Sequence, residues 1–525
     1  MMRSRFFFAL LLNAAASLAL ASTAAAQVTT LPPNFDTFID SVRTAFDVPG
    51  MAVTVVKDGR VLLAKGYGVR TLGTREKVDE TTLFGIASNT KAFTAAAIAM
   101  LVEEGKLRWD APVVSYLPSF QLSDPYVAQQ LTIRDLLVHR SGLGLGAGDL
   151  LWWPPSTYDR KEIAHRLRFI PLSTSFRSAY AYDNVLYLVA GEVIEAVSGQ
   201  SWEDFMASRI LAHIGMRHSN VRHSAAANRG NIATPHGPIE GVVRPVRPFI
   251  SDNTNPAGGI NSCAEDMAKW LKCQLDSGRT ESGARLFSPR TTRQLWSEVT
   301  PIPISDPPPE LARLRANFNG YALGFNVRDY AGRKLVMHNG GLPGYVSKVA
   351  MLPEIGLGIA VLTNMESTSA FSAVTFALLD HFLGLPTVDW IGAYRRFDAR
   401  NDSLTRAEDS KTSAVRNAHS QPSLALEMYA GTYNDAWYGD IVIEVKDGAL
   451  EMRFLHSPQL TGRLEHFQYD TFIARWYDRE LRADAYVTFA LRPDGTIERA
   501  KMEAVSPSTD FSYDFQDLLL KPVRK

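Results

Sequence analysis

The stretch Phe84-Gly-Ile-Ala-Ser88-Asn-Thr-Lys91-Ala-Phe-Thr-Ala-Ala-Ala97 decides how the rest of the chain is read. Its second half is rich in Ala, the strongest helix former. The pattern continues to Glu104, and Gly105 follows as a stop, so the sequence predicts a helix over 88–104. Ser88 and Lys91 stand three residues apart at its start and share one face. Ala92, Ala95, Ala96 and Ala99 are small enough to let the helix sit deep among its neighbours. A lysine carried into such a place is costly unless it serves a function. A serine hydroxyl is a weak nucleophile until a neighbour takes its proton, and an amine in a dry pocket has a depressed pKa and can take it. The start of a helix also favours negative charge developing near Ser88.

Strand patterns flank this segment on both sides. Met51 to Val56 and Val61 to Tyr67 are apolar runs with Asp58-Gly59 between them, the pattern of a β-hairpin. Val346 to Leu352 and Leu357 to Thr363 form a second pair across Pro353-Glu-Ile-Gly356. Helix and loop signals fill the region between. Thr132-Ile-Arg-Asp135 reads as a capping box opening a helix, Asn184 to Val197 as a helix ended by Gly199, and Ser201 as the start of the next. Strands at both ends with helices between predict an α/β (α+β) unit: one antiparallel sheet built from both ends, flanked by helices, with a helical subdomain.

The composition changes after this unit. Residues 389–425 are polar and weakly periodic and read as a linker or an exposed helix. Residues 426–525 alternate apolar and polar, with turns at Asp447-Gly448 and Pro493-Asp-Gly495. Leu450, Met452 and Phe454 share one strand face, and Val487, Phe489 and Leu491 share another, which predicts a small closed barrel or sandwich.

At the other end, Arg3 and Arg5, the apolar run Phe6 to Leu20 and Ala24-Ala25-Ala26 have the form of a secretory signal peptide over 1–26. The reading is then an exported protein, periplasmic or extracellular, with no membrane anchor once the signal is removed. The first unit would occupy 27–388. Cys263 and Cys273 flank a helical pattern that would hold them apart, so two buried free thiols are expected. Lys plus Arg, 55, equals Asp plus Glu, 55, which argues against a nucleic-acid partner. His213, His218 and His223 do not share a helical face, so no metal site is expected and no cofactor is implied. The absence of G-x-S-x-G counts against an α/β-hydrolase.

Two further elements carry chemistry. In Tyr182-Asp183-Asn184 a tyrosine beside a cation can act as a base, and the asparagine offers a donor and an acceptor to a substrate amide. In His338-Asn339-Gly340-Gly341 the glycines let a strand approach a ligand. A strand N–H can then join that of Ser88 in an oxyanion hole, and His338 can position substrate or shuttle a proton.

The order S-x-x-K, Y-x-N, H-x-G resembles the class C β-lactamase and penicillin-binding-protein family, with its D-aminopeptidase, D,D-peptidase and esterase relatives. Leu131 to Leu143, Pro256-Ala-Gly-Gly-Ile260 and Asp266-Met-Ala-Lys-Trp270 extend the likeness over about residues 35 to 385. The resemblance implies Ser88 as nucleophile, Lys91 as its activating partner and Tyr182 as base or proton relay. It implies Asn184, His338, Asn339 and Gly340 as substrate contacts, and the N–H groups of Ser88 and Gly341 as the oxyanion hole. β-Lactamases of this kind have Lys-Thr-Gly where this chain has His338-Asn339-Gly340, and His there is closer to the peptidase and esterase branch. Tyr429-Ala-Gly-Thr-Tyr433 and the 464–472 segment resemble the lipocalin-like domain appended to some peptidases of the family, read as a packing or oligomerisation module.

The expected function is an exported serine hydrolase that forms an acyl-enzyme with small amides, esters or peptides carrying D-residues, with room for a homo-oligomer. Alternatives are a carboxylesterase or weak β-lactamase of the same fold, and a penicillin-binding or ligand-sensing protein without turnover.

Overall fold

In the computed structural model, which describes residues 28–226, 230–414 and 416–523, the first hairpin forms where the two apolar runs and their turn place it. Strands β1 (Gly50–Lys57) and β2 (Arg60–Gly68) pair antiparallel around Asp58 and Gly59, whose φ values of 49° and 73° suit a two-residue hairpin turn. The segment read as a signal peptide, 1–26, lies outside the described residues. Among those residues no helix is long and apolar enough to cross a membrane.

Short strands β3 (Thr300–Pro301), β4 (Asn319–Tyr321) and β5 (Asn326–Tyr330) lead into β6 (Arg333–Leu342), β7 (Tyr345–Leu352) and β8 (Leu357–Thr363). The sheet runs β2-β1-β8-β7-β6-β5-β4-β3, antiparallel at every step. Met51 faces Thr363 across the β1–β8 seam, so the two ends of the unit meet in mid-sheet as the sequence predicts. The period of two sorts side chains into two cores. Met51, Val53 and Val55 face α1 (Phe35–Ala45) and α5 (Thr368–Phe382), while Ala52 and Val56 face the core of α2 (Thr90–Glu103) and α4 (Ala264–Leu275). Helix α3 (Val185–Ser198) packs on α2 and ends at Gly199, which takes φ 72°.

Two sequence readings are corrected here. Thr132 and Asp135 do bond reciprocally: the Thr132 N–H donates to Asp135 Oδ2 at 3.0 Å and the Asp135 N–H to Thr132 Oγ1 at 3.3 Å. The box opens only a single 3₁₀ turn, Asp135–Leu137, because the chain reverses at His139, which has a positive φ of 56°. The stretch read as a linker or an exposed helix carries α6 (Trp390–Ala414); the helix is there, but its first turns are core. Trp390 and Tyr394 are buried against α5, and Trp390 Nε1 donates to Asp380 Oδ2 at 2.9 Å. Cys263 and Cys273 are buried free thiols, the first at the N-cap and the second near the end of α4, as expected.

The C-terminal residues form a nearly closed antiparallel barrel: β9 (Gly431–Asp435), β10 (Gly439–Lys446), β11 (Ala449–Phe454), β12 (Thr461–Gln468), β13 (Thr471–Trp476), β14 (Ala485–Leu491), β15 (Ile497–Ala504) and β16 (Lys521–Pro522). β16 pairs with β9, and mutual hydrogen bonds of 2.8 and 3.0 Å between Ala500 and Leu520 bring the ends of the sheet together. The barrel docks on the first domain through the Tyr158 hydroxyl, which donates to the Tyr438 carbonyl, and Arg166, which donates to the Trp437 carbonyl at 3.0 Å.

One buried charge lies away from the site. Lys348 on β7 is 3% exposed, over the rings of Phe371 and Phe376, and its ammonium has only a 3.4 Å contact to Ser372 Oγ. Burial, aided by the charge of Arg328, pushes its amine down to about 7. The unfolded chain therefore binds more protons than the folded one above that pH, and stability should rise from about pH 7 towards 10. Lys348→Met is expected to stabilise the fold at pH 6 by about 2 kcal/mol, read from urea unfolding, with a gain that shrinks by pH 10. Equal midpoints at pH 6 would refute this account.

Candidate active site

Ser88 sits in a 3₁₀ turn, Ala87–Asn89, and the α-helix proper begins at Thr90. The turn forms because Ala87 adopts a positive φ of 50°, the kind of local strain that persists when surrounding packing fixes it. The packing comes from β6. A methyl group at Gly340 would lie 2.2 Å from the Ile86 carbonyl and 2.5 Å from Ser347 Oγ, so only glycine lets the strand pass this close to the serine turn. Ser347 Oγ in turn donates to that Ile86 carbonyl at 2.7 Å and receives Asn89 Nδ2 at 2.8 Å.

Lys91 is wholly buried, and its Nζ donates to Ser88 Oγ at 3.0 Å, Asn184 Oδ1 at 2.7 Å and the Ala257 carbonyl at 3.0 Å. Burial pushes its amine down to about 7, against the opposing pull of Asp149 and Asp183. The Tyr182 ring lies 5.0 Å from Nζ, and its hydroxyl is hydrogen-bonded with Ser88. Burial holds that phenol well above its ordinary value, so Tyr182 stands as a neutral phenol suited to relaying a proton rather than as a phenolate base. The arrangement offers a half-buried hydroxyl, a buried amine able to take its proton near neutral pH, and a phenol whose hydroxyl meets the same serine.

His338 is 3% exposed, and burial together with the nearby Lys91 charge pushes its imidazole down to about 3. Its Nδ1 faces the Asn339 carbonyl at 2.5 Å and must carry the proton. Its Nε2 then accepts from the Tyr321 hydroxyl at 2.8 Å. Both ring nitrogens are engaged, which removes the expected proton shuttle. His338 is a neutral wall of the site.

A cleft of about 340 Å³ opens above these groups, and Ser88, Tyr182, Asn184, His338, Asn339, Gly340 and Gly341 all line it. Asn339 and Gly341 are exposed, whereas Asn184 is buried between Lys91 and a carboxylate the sequence reading missed. Asn184 Nδ2 donates to Asp149 Oδ2 at 2.8 Å. Trp152 and Trp153 form an apolar wall, and Asp510, Phe511 and Ser512 of the C-terminal domain reach into the same cleft. The run Asp149-Leu-Leu-Trp-Trp-Pro-Pro155 held a signal: paired tryptophans before paired prolines in a loop region seldom serve only as a connection. No Lys or Arg is among the described residues lining the cleft, and its one carboxylate at the rim is Asp510. No group of three or more His, Cys, Asp and Glu suited to a metal occurs among the described residues.

Comparisons with known proteins bear on the family and the fold. The family model described as Beta-lactamase matches residues 35–381, and one described as a domain of unknown function (DUF3471) matches 415–522. The unguisins hydrolase ungD of Aspergillus violaceofuscus is 28% identical over 501 residues, covering 89% of this chain and 87% of that protein. Penicillin-binding protein 4 of Amycolatopsis lactamdurans is 28% identical over 357 residues, covering 66% of this chain and 89% of that one. The octameric penicillin-binding protein homologue from Pyrococcus abyssi superposes with a TM-score of 0.59 at 23% identity, over 93% of this chain and 99% of that one. A class C beta-lactamase mutant does so with a TM-score of 0.55 at 18% identity, over 66% of this chain and 96% of that one. At these identities the two structures speak to the fold.

Proposed function

This chain belongs to the beta-lactamase family and is a serine hydrolase, and we propose that it cleaves amide or ester bonds of small, uncharged acyl donors through an acyl-enzyme on Ser88. The observation that carries the reading is the 3.0 Å contact between a wholly buried Lys91 amine and the cleft-facing Ser88 hydroxyl.

In the proposed reaction Ser88 Oγ attacks the substrate carbonyl carbon and its proton passes to the neutral Lys91 amine. The oxyanion is received by the N–H groups of Ser88 and Gly341, both on the cleft wall. As the tetrahedral species collapses, the bond to the leaving amine or alcohol breaks, and a proton reaches the leaving group through the Tyr182 hydroxyl. Water then attacks the acyl-enzyme by the same route in reverse. The neutral His338, and a cleft lined by no Lys or Arg among the described residues, suit substrates without a carboxylate near the scissile bond. Simple esters, and peptides with D-residues whose scissile amide lies away from a free carboxylate, fit that description better than penicillins, which carry a carboxylate beside the reacting ring. A relative named as a hydrolase, aligned over most of its length, supports turnover over mere binding. We further propose export, on the signal-peptide pattern at 1–26, and a lipocalin-like character for the barrel.

The test is intact-mass analysis of the full chain after exposure to a fluorophosphonate, followed by peptide mapping and competition with D-peptides, esters and a penicillin. One phosphonyl adduct on the Ser88 peptide, slowed by esters or D-peptides, is the expected result. A folded protein that reacts with neither fluorophosphonate nor penicillin would overturn the reading. An acyl adduct that never releases would turn it towards a sensor.

A further inference from the structure

We propose that the C-terminal barrel domain is part of the acylation machinery. Ser512 and Asp514 fix Asp149, and Asp149 is a positioning residue that holds the Asn184 amide against Lys91. The inference rests on the reading of Ser88 and Lys91 given above and adds residues to it.

Asp149 is wholly buried in a 3₁₀ turn, Asp149–Leu151. Its Oδ2 accepts from Asn184 Nδ2 at 2.8 Å and from Ser512 Oγ at 2.9 Å, and its Oδ1 accepts from Trp152 Nε1 at 3.0 Å. Ionised, a carboxylate only accepts, so it holds the NH₂ end of the Asn184 amide towards itself. The other end of the same amide, Oδ1, is then fixed on Lys91 at 2.7 Å. An amide released from Asp149 can turn over and present NH₂ to the Lys91 ammonium, which has no lone pair to receive it. The chain of contacts is continuous: Ser512 to Asp149, Asp149 to Asn184, Asn184 to Lys91, Lys91 to Ser88.

The second domain holds both the side chain and the backbone of this acid. Ser512 supplies one of the donors to the carboxylate, while Asp514 accepts the N–H groups of Gly148 and Leu150, at 2.7 and 3.0 Å, on either side of Asp149. Ser512 and Asp514 are themselves buried. Phe511 between the cleft and the barrel stands edge-on to Tyr182, with ring centroids 6.1 Å apart. Its carbonyl lies so near Gly146 that a methyl there would approach to 2.8 Å. A packing module would not need one buried hydroxyl on the Asp149 carboxylate and a buried acid on the backbone at either side of it.

The charges around the pair fix the sign of the expected effect. Lys91 faces Asp149 and Asp183, the rings of Tyr182 and Tyr187, and the imidazoles of His139 and His338; Asp149 also faces Asp514. Burial pushes the Asp149 carboxyl up, while Asn184, Ser512, Lys91 and Trp152 pull it down. Asn184 Nδ2 and Trp152 Nε1 can only donate, one to each carboxylate oxygen, which selects the ionised form; that charge raises the affinity of Lys91 for its proton, so removing it moves the acid limb of acylation to lower pH.

The experiment measures the rate of phosphonylation of Ser88 in the full chain by a fluorophosphonate from pH 5 to 9. It compares wild type, Asp149→Asn and Ser512→Ala, with folding checked by circular dichroism. For Asp149→Asn we expect a plateau rate about 100-fold lower, the cost of a misplaced catalytic group, and an acid limb moved down by about one pH unit. Ser512→Ala keeps the carboxylate but removes one hydrogen bond to it, so a fall of about tenfold with a smaller shift in the same direction is expected. Folded variants with the wild-type profile, or with a lower plateau and an unmoved limb, would overturn the proposal and leave Asp149 a structural acid. A wild-type chain that is not labelled at all would instead sink the underlying reading of Ser88.

Discussion

Acylation of Ser88 in Lys91→Met is expected to be about 1,000-fold slower than in the wild type, the range lost with a positioned general base. The variant should also lose the acid limb that the wild type shows. That limb should centre near pH 7, because burial pushes the Lys91 amine down to about 7 and only the free amine can take the serine proton. Met fills similar volume beneath Tyr182 without a lone pair. Lys91→Arg keeps the charge permanently and should be equally slow. The same substitution has an opposite effect on stability. A lysine whose folded pKa lies below its unfolded value destabilises the fold below about pH 7, and this penalty fades as pH rises towards 10. Lys91→Met should therefore unfold at higher urea than wild type at pH 6, as Lys348→Met should, while only the first loses reactivity. The comparison separates a lysine with three hydrogen-bond acceptors, one of them Ser88 Oγ, from a lysine resting on phenyl rings. Unchanged rates in Lys91→Met, measured by discontinuous intact mass at several pH values, would remove Lys91 from the mechanism.

The sequence made the first domain legible because its signals are local or periodic. Continuous apolar runs in 51–56, 346–352 and 357–363 place the central strands. Alanines after Ser88 place the buried helix, and Gly199 ends the helix after Asn184. Residues brought to the site by distant loops were not legible. Asp149 and Ser512 lie 363 positions apart and belong to different domains, and neither has a helical or strand period to betray its direction. The roles of His338 and Tyr182 depended on burial. Their types suggested substrate positioning or a shuttle for His338 and a base or a relay for Tyr182; burial, which keeps the imidazole unprotonated and the phenol protonated, and Tyr321 on the second ring nitrogen favour the first and the last of these. The capping box at Thr132 was read correctly as chemistry and wrongly as length. Asp135 is also held by Arg140 and Arg177, and the chain turns away after three residues.

Tyr182→Phe tests the phenol alone. The ring should stay where it is, since its neighbours are the His139 ring at 4.3 Å and Lys91 Nζ at 5.0 Å, and neither contact involves the hydroxyl. Stability should change little, within about 1 kcal/mol for one hydrogen bond. The hydroxyl's contact with Ser88 is lost, and with it the route by which a proton reaches the leaving group. Turnover of an amide or ester should fall by about 100-fold or more, the usual contribution of a positioned proton donor. The fall should be steeper for amides, whose amine leaving group needs that proton more than an alkoxide does. The pH profile distinguishes relay from base. A phenol held well above its ordinary value does not titrate between about pH 5 and 9, so the acid limb set by Lys91 should keep its position in the variant. If the limb instead disappears in Tyr182→Phe and survives in Lys91→Met, the phenolate is the base and the assignment made from burial is reversed.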